Sequence, residues 1–517
     1  MTLYLWFVFF LVMQLVHFLG TWKMYEAAGR KKWEAAIPVY NAIVLMKIIG
    51  RPTWWTILLF IPIINLIMFP VIWVETLRSF GKNTTADTLL GIFTCGLYIY
   101  YVNYTQKLEY VPNRSLHAQN KTADTLSSLL FAIIVATLVH TYIVQPYTIP
   151  TSSLEKSLLI GDFLFVSKVN YGPRVPMTTI ALPMVHDSIP FIKQKSYEKW
   201  PQLPYLRLPA IEKIQRTDIV VFNWPMDTVY QFFDKSGRHV DKPVDKKSNY
   251  VKRCVGVPGD SLSIKDGFVF INGKQLALPE RAKPQYSYEV ALDGKTPIDF
   301  EYLTRELDIT DFAGYKNPAA RDTIIFSALT EVSAERLKNT PGITAVTRMI
   351  SKGNDNSIFP HNGKGNMDNM AALYIPEAGK TVALNLQTLP YYKEIIRNYE
   401  GNDLKVNGSE IRINGEIAKS YTFKQDYYWM MGDNRHNSED SRYWGYVPEN
   451  HIVGKPVFIW MSWDTNGKGF NKIRWDRVFS TVDGEGQPQS YFKYFLIILA
   501  LFFVGDYFWK KRKENKA

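Results

Sequence analysis

The stretch Leu3–Leu19 carries no Asp, Glu, Lys or Arg and is dense in Leu, Phe and Val. Four more apolar runs follow: Trp54–Val74, Thr88–Tyr104, Leu126–Gln145 and Tyr491–Trp509, the last with Lys493 and Asp506 near its ends. A bilayer core is crossed by about 20 apolar residues in helical form. Any single run could instead be a buried core helix, but the set as a whole predicts a membrane protein. The second run contains Pro62, Asn65 and Pro70, so it reads as kinked or re-entrant. Leu3–Leu19 has no basic residues ahead of it and no small-x-small site behind it, so it reads as a retained anchor rather than a signal peptide.

The charges give the expected orientation. The chain has 60 Lys+Arg against 48 Asp+Glu, a formal charge of +12. Segment 21–53 sets Lys23, Arg30, Lys31, Lys32, Lys47 and Arg51 against Glu26 and Glu34, a net of +4. Segment 105–125 has Lys107, Arg114 and Lys121 against Glu109 and Asp124, and the tail 510–517 carries five bases against Glu514. Short basic segments stay cytoplasmic. Five spans then run from an outer N-terminus to a cytoplasmic C-terminus, with residues 146–490 outside. Most of the excess charge flanks spans, so nucleic acid is not an expected partner.

At 517 residues the chain has room for about three domains. Its 47% hydrophobic and 21% charged residues exclude intrinsic disorder. Two cysteines, Cys95 and Cys254, exclude a disulfide scaffold. No HExxH motif or zinc-finger spacing occurs, and no metal or organic cofactor is implied. The outer segment reads as antiparallel β: Ile219–Phe222, Ser261–Ile264, Phe268–Ile271, Ile411–Ile413 and Val457–Trp460 are rich in β-branched or aromatic residues. Asn272-Gly273 and Asn414-Gly415 sit between apolar runs and predict type I′ hairpin turns. Glu331–Asn339 and Pro390–Asn398 are candidate helices. The predicted fold class is a multi-span helical membrane region (1–125, about three spans), an anchor (126–145), a mainly antiparallel β domain (146–490) with α/β insertions at about 174–210 and 275–400, and a final span with a basic tail (491–517).

Four segments hold residues fit for chemistry. Ile149-Pro150-Thr151-Ser152-Ser153 leads to Gly161-Asp162 directly after the fourth run, and Arg216-Thr217-Asp218 opens a strand. Tyr250-Val251-Lys252-Arg253 continues to Gly256-Val257-Pro258-Gly259-Asp260, placing a lysine inside an apolar strand. Such a lysine ordinarily keeps its head in water; if buried, desolvation lowers its pKa and makes it a usable base. Gly432-Asp433-Asn434-Arg435 through Ser438, Asp440-Ser441-Arg442 and Trp444-Gly445 packs Asp, Asn, Arg and Ser into one loop.

These segments, in this order after a membrane helix, resemble the conserved boxes of bacterial type I signal peptidases. The resemblance implies a signal-peptidase-like β fold and a membrane-bound serine endopeptidase that removes signal peptides from exported preproteins. It further implies Ser153 as nucleophile, Lys252 as general base, and the Ser153 N–H with the Thr151 hydroxyl as oxyanion hole. Ser438 would orient the Lys252 amine, while Asp433, Asp440, Arg442 and Arg253 would form supporting ion pairs. Implied partners are preprotein signal peptides, the lipid bilayer and the secretion translocon. The implied location is the bacterial cytoplasmic (inner) membrane, with the β domain on the periplasmic side.

Where the family usually has Met and Pro after the nucleophile, this chain has Leu154 and Lys156. Ser153-Leu154-Glu155-Lys156 also spells the Ser-x-x-Lys of penicillin-binding proteins, but the companion Ser-x-Asn and Lys-Thr-Gly elements are absent. A Ser-His-Asp enzyme would have to use His436 or His451, and their spacing singles out neither. The non-enzymatic alternative is a catalytically inactive, membrane-anchored relative acting as an assembly or scaffold protein.

Overall fold

The computed structural model describes residues 2–116, 121–230, 234, 236–307, 309–311, 314–464, 467 and 469–514. Residues 117–120 of the second basic segment and Lys516 of the tail lie outside them. Among the described residues, three helices are long and apolar enough to cross a membrane. They are α1 (Leu3–Ala27), α2 (Lys121–Leu138, continued by a π turn to Ile143) and α3 (Phe492–Glu514).

Of the other two apolar runs, the second, read as kinked or re-entrant, and the third are each divided into two helices. Trp54–Val74 is divided between Trp55–Leu58 and Ile64–Ser79, with Pro62 and the left-handed Ile63 (φ 70°) at the break. Thr88–Tyr104 is divided between Thr85–Phe93 and Tyr98–Thr105, at Cys95 (φ 51°) and Gly96 (φ 82°). The break at Gly96 permits close packing: a Cβ there would meet the Trp73 ring at 2.7 Å. Glu75, buried on Ile64–Ser79, is held by Arg51 at 2.8 Å and Arg114 at 2.5 Å. An acid in such surroundings is tolerated only when paired.

The described chain forms two compact units. One comprises Met1–Ile143, Pro173–Leu208 and Asp227–Ser248; the other comprises Val144–Gly172, Pro209–Met226 and Asn249–Ala517. The second unit is built on an antiparallel sheet of eight strands: β1 (Val144–Thr148), β2 (Asp162–Ser167), β3 (Ile219–Asn223), β4 (Asn249–Gly256), β5 (Tyr427–Met431), β6 (Val447–Pro448), β7 (Ile452–Ser462) and β8 (Ser480–Thr481). Their order is β1-β2-β7-β3-β4-β5-β6, and β8 pairs with β7. Register irregularities interrupt the β2/β7, β3/β7 and β4/β5 ladders. Bulges of this kind bend and twist a sheet. Ile149, Leu154, Leu158, Leu164, Val166, Ile219, Val221 and Ile459 form a core against this sheet.

Both Asn-Gly turns have positive φ at their two central residues: 52° and 79° at Asn272-Gly273, 55° and 90° at Asn414-Gly415. Each closes a hairpin, as expected from the I′ preference for this pair. The predicted helices are present as Glu331–Lys338 and as Leu389–Glu394 with a π turn through Tyr399. The 275–400 insertion contains a sheet ordered Ile343–Arg348, Gln285–Leu292, Thr323–Thr330 and Gly314–Tyr315, with Glu331–Lys338 packed on it.

Gly161 ties the β1–β2 loop to β7. Its N–H donates to Ile149 O at 3.0 Å and its carbonyl accepts from Trp463 N–H at 2.8 Å. At φ 88°, a Cβ would sit 2.0 Å from Trp463 O. Gly161→Ala is therefore expected to destabilise the protein by about 3 kcal/mol, combining left-handed strain with an overpacked contact. Chemical or thermal unfolding of the purified protein would read this as a lower midpoint, and an unchanged midpoint would refute the close approach.

Candidate active site

β1 ends in a short 3-10 turn, Ser152–Leu154, which carries Ser153. Its position is set from below: Leu154 and Leu158 are buried in the core under the sheet. It is also set from behind, because Ile149 N–H donates to Asp162 O at 2.9 Å and closes the loop. Asp162 is buried in turn against Ser462 Oγ (2.7 Å) and the Arg477 guanidinium.

Lys252 lies on β4, opposite Val220 of β3. Alternation along the strand sends Lys252 and Arg253 to opposite faces. The Lys252 Nζ donates to Ser153 Oγ at 2.6 Å. Lys252 is only 3% exposed and Ser153 only 7%, so the pair meets away from bulk water. Burial lowers the Lys252 ammonium to about 8 from its ordinary 10.5, against the opposing charges of Asp440 and Glu439. The Tyr250 ring lies 5.3 Å from the same nitrogen.

The loop after β5 clasps the serine turn. Asn434 N–H donates to Ser153 O at 3.1 Å, its Nδ2 to Ser152 O at 3.3 Å, and Asn437 Nδ2 to Ser152 Oγ at 3.1 Å. Gly432 makes the approach possible, since a Cβ there would fall 2.5 Å from Ser153 O and 2.2 Å from Ser438 Oγ. Two buried ion pairs stiffen the loop. Arg253 is bidentate to Asp433 through Nε (2.8 Å) and Nη2 (2.6 Å), and Ser157 Oγ donates to the same carboxylate at 2.6 Å. Arg442 is bidentate to Asp440 at 2.8 Å through each nitrogen, while Gly432 N–H donates to Asp440 Oδ2 at 3.0 Å. Burial alone would raise both carboxyls, but the adjoining guanidiniums outweigh it and hold them below the usual range.

The structure thus brings Ser153, Lys252, Asp433, Asp440, Arg442 and Arg253 into one cluster. Thr151 stands exposed immediately before the serine turn. Ser438 Oγ is buried next to Gly432 and makes no hydrogen bond to Lys252 among the described residues.

The rival assignments fail on geometry. The 3-10 turn stops at Leu154, Lys156 is left-handed (φ 69°), and its Nζ donates to Thr310 Oγ1 at 3.3 Å. Ser153 and Lys156 therefore do not share a helical face. His436 contacts Asp368 at 2.8 Å and accepts from Ser287 N–H at 3.0 Å, but the Ser287 hydroxyl donates to Ser327 O. Sequence reasoning missed Ser157 and the clasping role of Asn434 and Asn437, since isolated hydroxyls and amides carry no periodic or charge signal.

Residues 122–318 and 373–463, more than half of the chain, match the family described as Signal peptidase, peptidase S26. The chain belongs to this signal peptidase family. It is therefore a peptidase, and its three long apolar helices associate it with a membrane. Signal peptidase I of Haemophilus influenzae is 26% identical over 372 residues, covering 70% of this chain and 76% of that protein. Signal peptidase I of Helicobacter pylori (strain J99) is 24% identical over 372 residues, with coverage of 69% and 92%. That of Buchnera aphidicola subsp. Schizaphis graminum is 25% identical over 350 residues, with coverage of 66% and 75%. Residues 33–113, ahead of the signal peptidase match, correspond to a Family of unknown function (DUF5684).

Asp440→Ala would strand the Arg442 guanidinium in the interior. Removing one member of a buried pair typically costs about 3–5 kcal/mol. The variant is expected to lower the unfolding midpoint by the corresponding amount, measured by denaturant titration, and a surface-like loss below about 1 kcal/mol would contradict the buried pairing.

Proposed function

We propose that this signal peptidase cleaves the signal peptides of exported preproteins by a Ser153/Lys252 mechanism. The observation carrying this reading is the 2.6 Å contact between Lys252 Nζ and Ser153 Oγ in a buried setting, with Lys252 titrating near 8. A serine hydroxyl is a weak nucleophile at neutral pH and needs an adjacent base. Neutral Lys252 takes the Ser153 proton as Oγ attacks the scissile carbonyl. The resulting oxyanion is met by the Ser153 N–H and the Thr151 hydroxyl; one such donor is typically worth about 10²–10³ in rate. Protonated Lys252 then passes its proton to the departing amine, leaving Ser153 esterified by the signal peptide's C-terminal carbonyl. Water, deprotonated by the same amine, attacks the ester and restores the hydroxyl. This is a two-residue variant of triad chemistry. An intact serine–lysine contact also argues against an inactive scaffold.

The basic segments favour an N-terminus outside the cytoplasmic membrane of a bacterium and a C-terminal tail inside it. With α1, α2 and α3 as the crossings, the β domain lies on the periplasmic side, where the signal helices of preproteins emerge. The secretion translocon is the natural partner at that position.

Ser153→Ala and Lys252→Met are each expected to reduce preprotein cleavage in detergent by at least about a thousandfold, while Lys156→Ala retains most of it. A dead Lys156→Ala with an active Lys252→Met would assign the base to Lys156. The pH dependence provides a second check. Only the neutral amine accepts a proton, so kcat/KM should rise with pH and level off above about 8. A rise that continues to the 10.4 or so of a free lysine would rule out a desolvated Lys252.

A further inference from the structure

Residues 174–207 run out and back as an irregular antiparallel ladder, bridged at Arg174–Arg207, Thr178–Gln202, Ala181–Tyr197 and Ser188–Lys195. Polar contacts hold its inner side. Thr178 donates to Asp245 through both N–H (2.9 Å) and Oγ1 (2.6 Å), and buried Lys242 pairs with Asp187 at 3.4 Å. The outer side is apolar. Ile180, Leu182 and Met184 recur with a period of two and are 42–45% exposed, beside Trp200 at 69%.

The tip of the ladder is unusual in the same sense. Ile189 N–H donates to Gln194 O at 2.7 Å and Lys193 N–H to Ile189 O at 3.0 Å, closing a tight turn. Pro190 is an ordinary turn residue, but the two positions after it are large and apolar where Gly, Asn, Asp or Ser are usual. Here Phe191 is 101% exposed and Ile192 62% exposed. Soluble surfaces rarely present contiguous apolar area of this kind without a partner that covers it.

The identity of that partner follows from Trp6. Its indole Nε1 donates to Gln202 O at 2.9 Å, fastening the return limb of the ladder to the first turn of α1. α1 is long and apolar enough to cross a bilayer, so its first turn lies at the membrane–water boundary, the level at which tryptophans with a bonded N–H are concentrated. An apolar face attached at that level meets acyl chains and headgroups.

We propose that the 174–207 ladder is an interfacial membrane element, whose Phe191–Ile192 tip and Ile180/Leu182/Met184/Trp200 face enter the leaflet at the N-terminal end of α1. Apolar area buried in the headgroup–acyl boundary drives binding of this type, and exposed Lys193 is placed to meet anionic headgroups. The element supplements the spanning helices without itself crossing.

The test uses the full chain with Cys95→Ser, leaving only Cys254, which is buried. An environment-sensitive fluorophore is attached at Phe191→Cys, at Ile192→Cys and, as an exposed reference, at Lys405→Cys. Each protein is reconstituted into phosphatidylethanolamine/phosphatidylglycerol vesicles, with or without a doxyl-labelled phospholipid. Both tip probes are expected to be quenched by the doxyl lipid severalfold more strongly than the Lys405 probe and shielded from aqueous iodide. Tip probes as accessible to iodide as the reference, and untouched by the doxyl lipid, would overturn the proposal and leave the patch for a protein partner. Unfolding midpoints of the labelled proteins separate misfolding from either outcome.

Discussion

The burial of one lysine organises the second unit. A primary ammonium at 3% exposure is unfavourable unless its charge is relieved, and here burial lowers Lys252 to about 8. That position exists only because β4 lies inside the sheet between β3 and β5, and because the serine turn covers the lysine from the end of β1. A lysine on an edge strand would extend its stem and return the nitrogen to water. Sheet order is therefore a chemical requirement as well as an architectural one.

The surrounding charges are consistent with this requirement. Arg253–Asp433 and Arg442–Asp440 are closed pairs: each carboxylate has its own guanidinium, so neither transfers a full countercharge to Lys252. A free carboxylate at the same distance would favour the ammonium and leave less neutral amine. Buried pairs are poor stabilisers compared with apolar packing. Their value here is geometric, since they hold the loop that carries Asn434 and Asn437 onto the Ser152 and Ser153 turn.

Part of this arrangement was legible in the residues alone. The Asn-Gly turns predicted their hairpins because only a few residue types tolerate positive φ at two successive positions. The lysine stood out as a charge inside an apolar strand, and the serine and final-loop segments through their order and their resemblance to the signal peptidase boxes. The apolar runs were less informative. Pro62 and Pro70 marked the second run as kinked, but the length and composition of the third do not distinguish a straight helix from one broken at Cys95-Gly96, where the chain packs against Trp73.

The sequence by itself determined that the chain enters a membrane, that its large segment between the last two apolar runs is antiparallel β, and which serine and lysine are candidates for chemistry. The first two follow from composition, period and local turn chemistry, which act over a few residues; the choice of Ser153 and Lys252 rests on the resemblance of their segments to the signal peptidase boxes. Tertiary structure alone decided that Ser153 and Lys252 meet at 2.6 Å, that Lys156 turns away to Thr310, and that the 174–207 ladder presents its apolar face beside the end of α1. Those outcomes depend on contacts between segments up to almost two hundred residues apart along the chain, such as Trp6 and Gln202, and no local pattern encodes them.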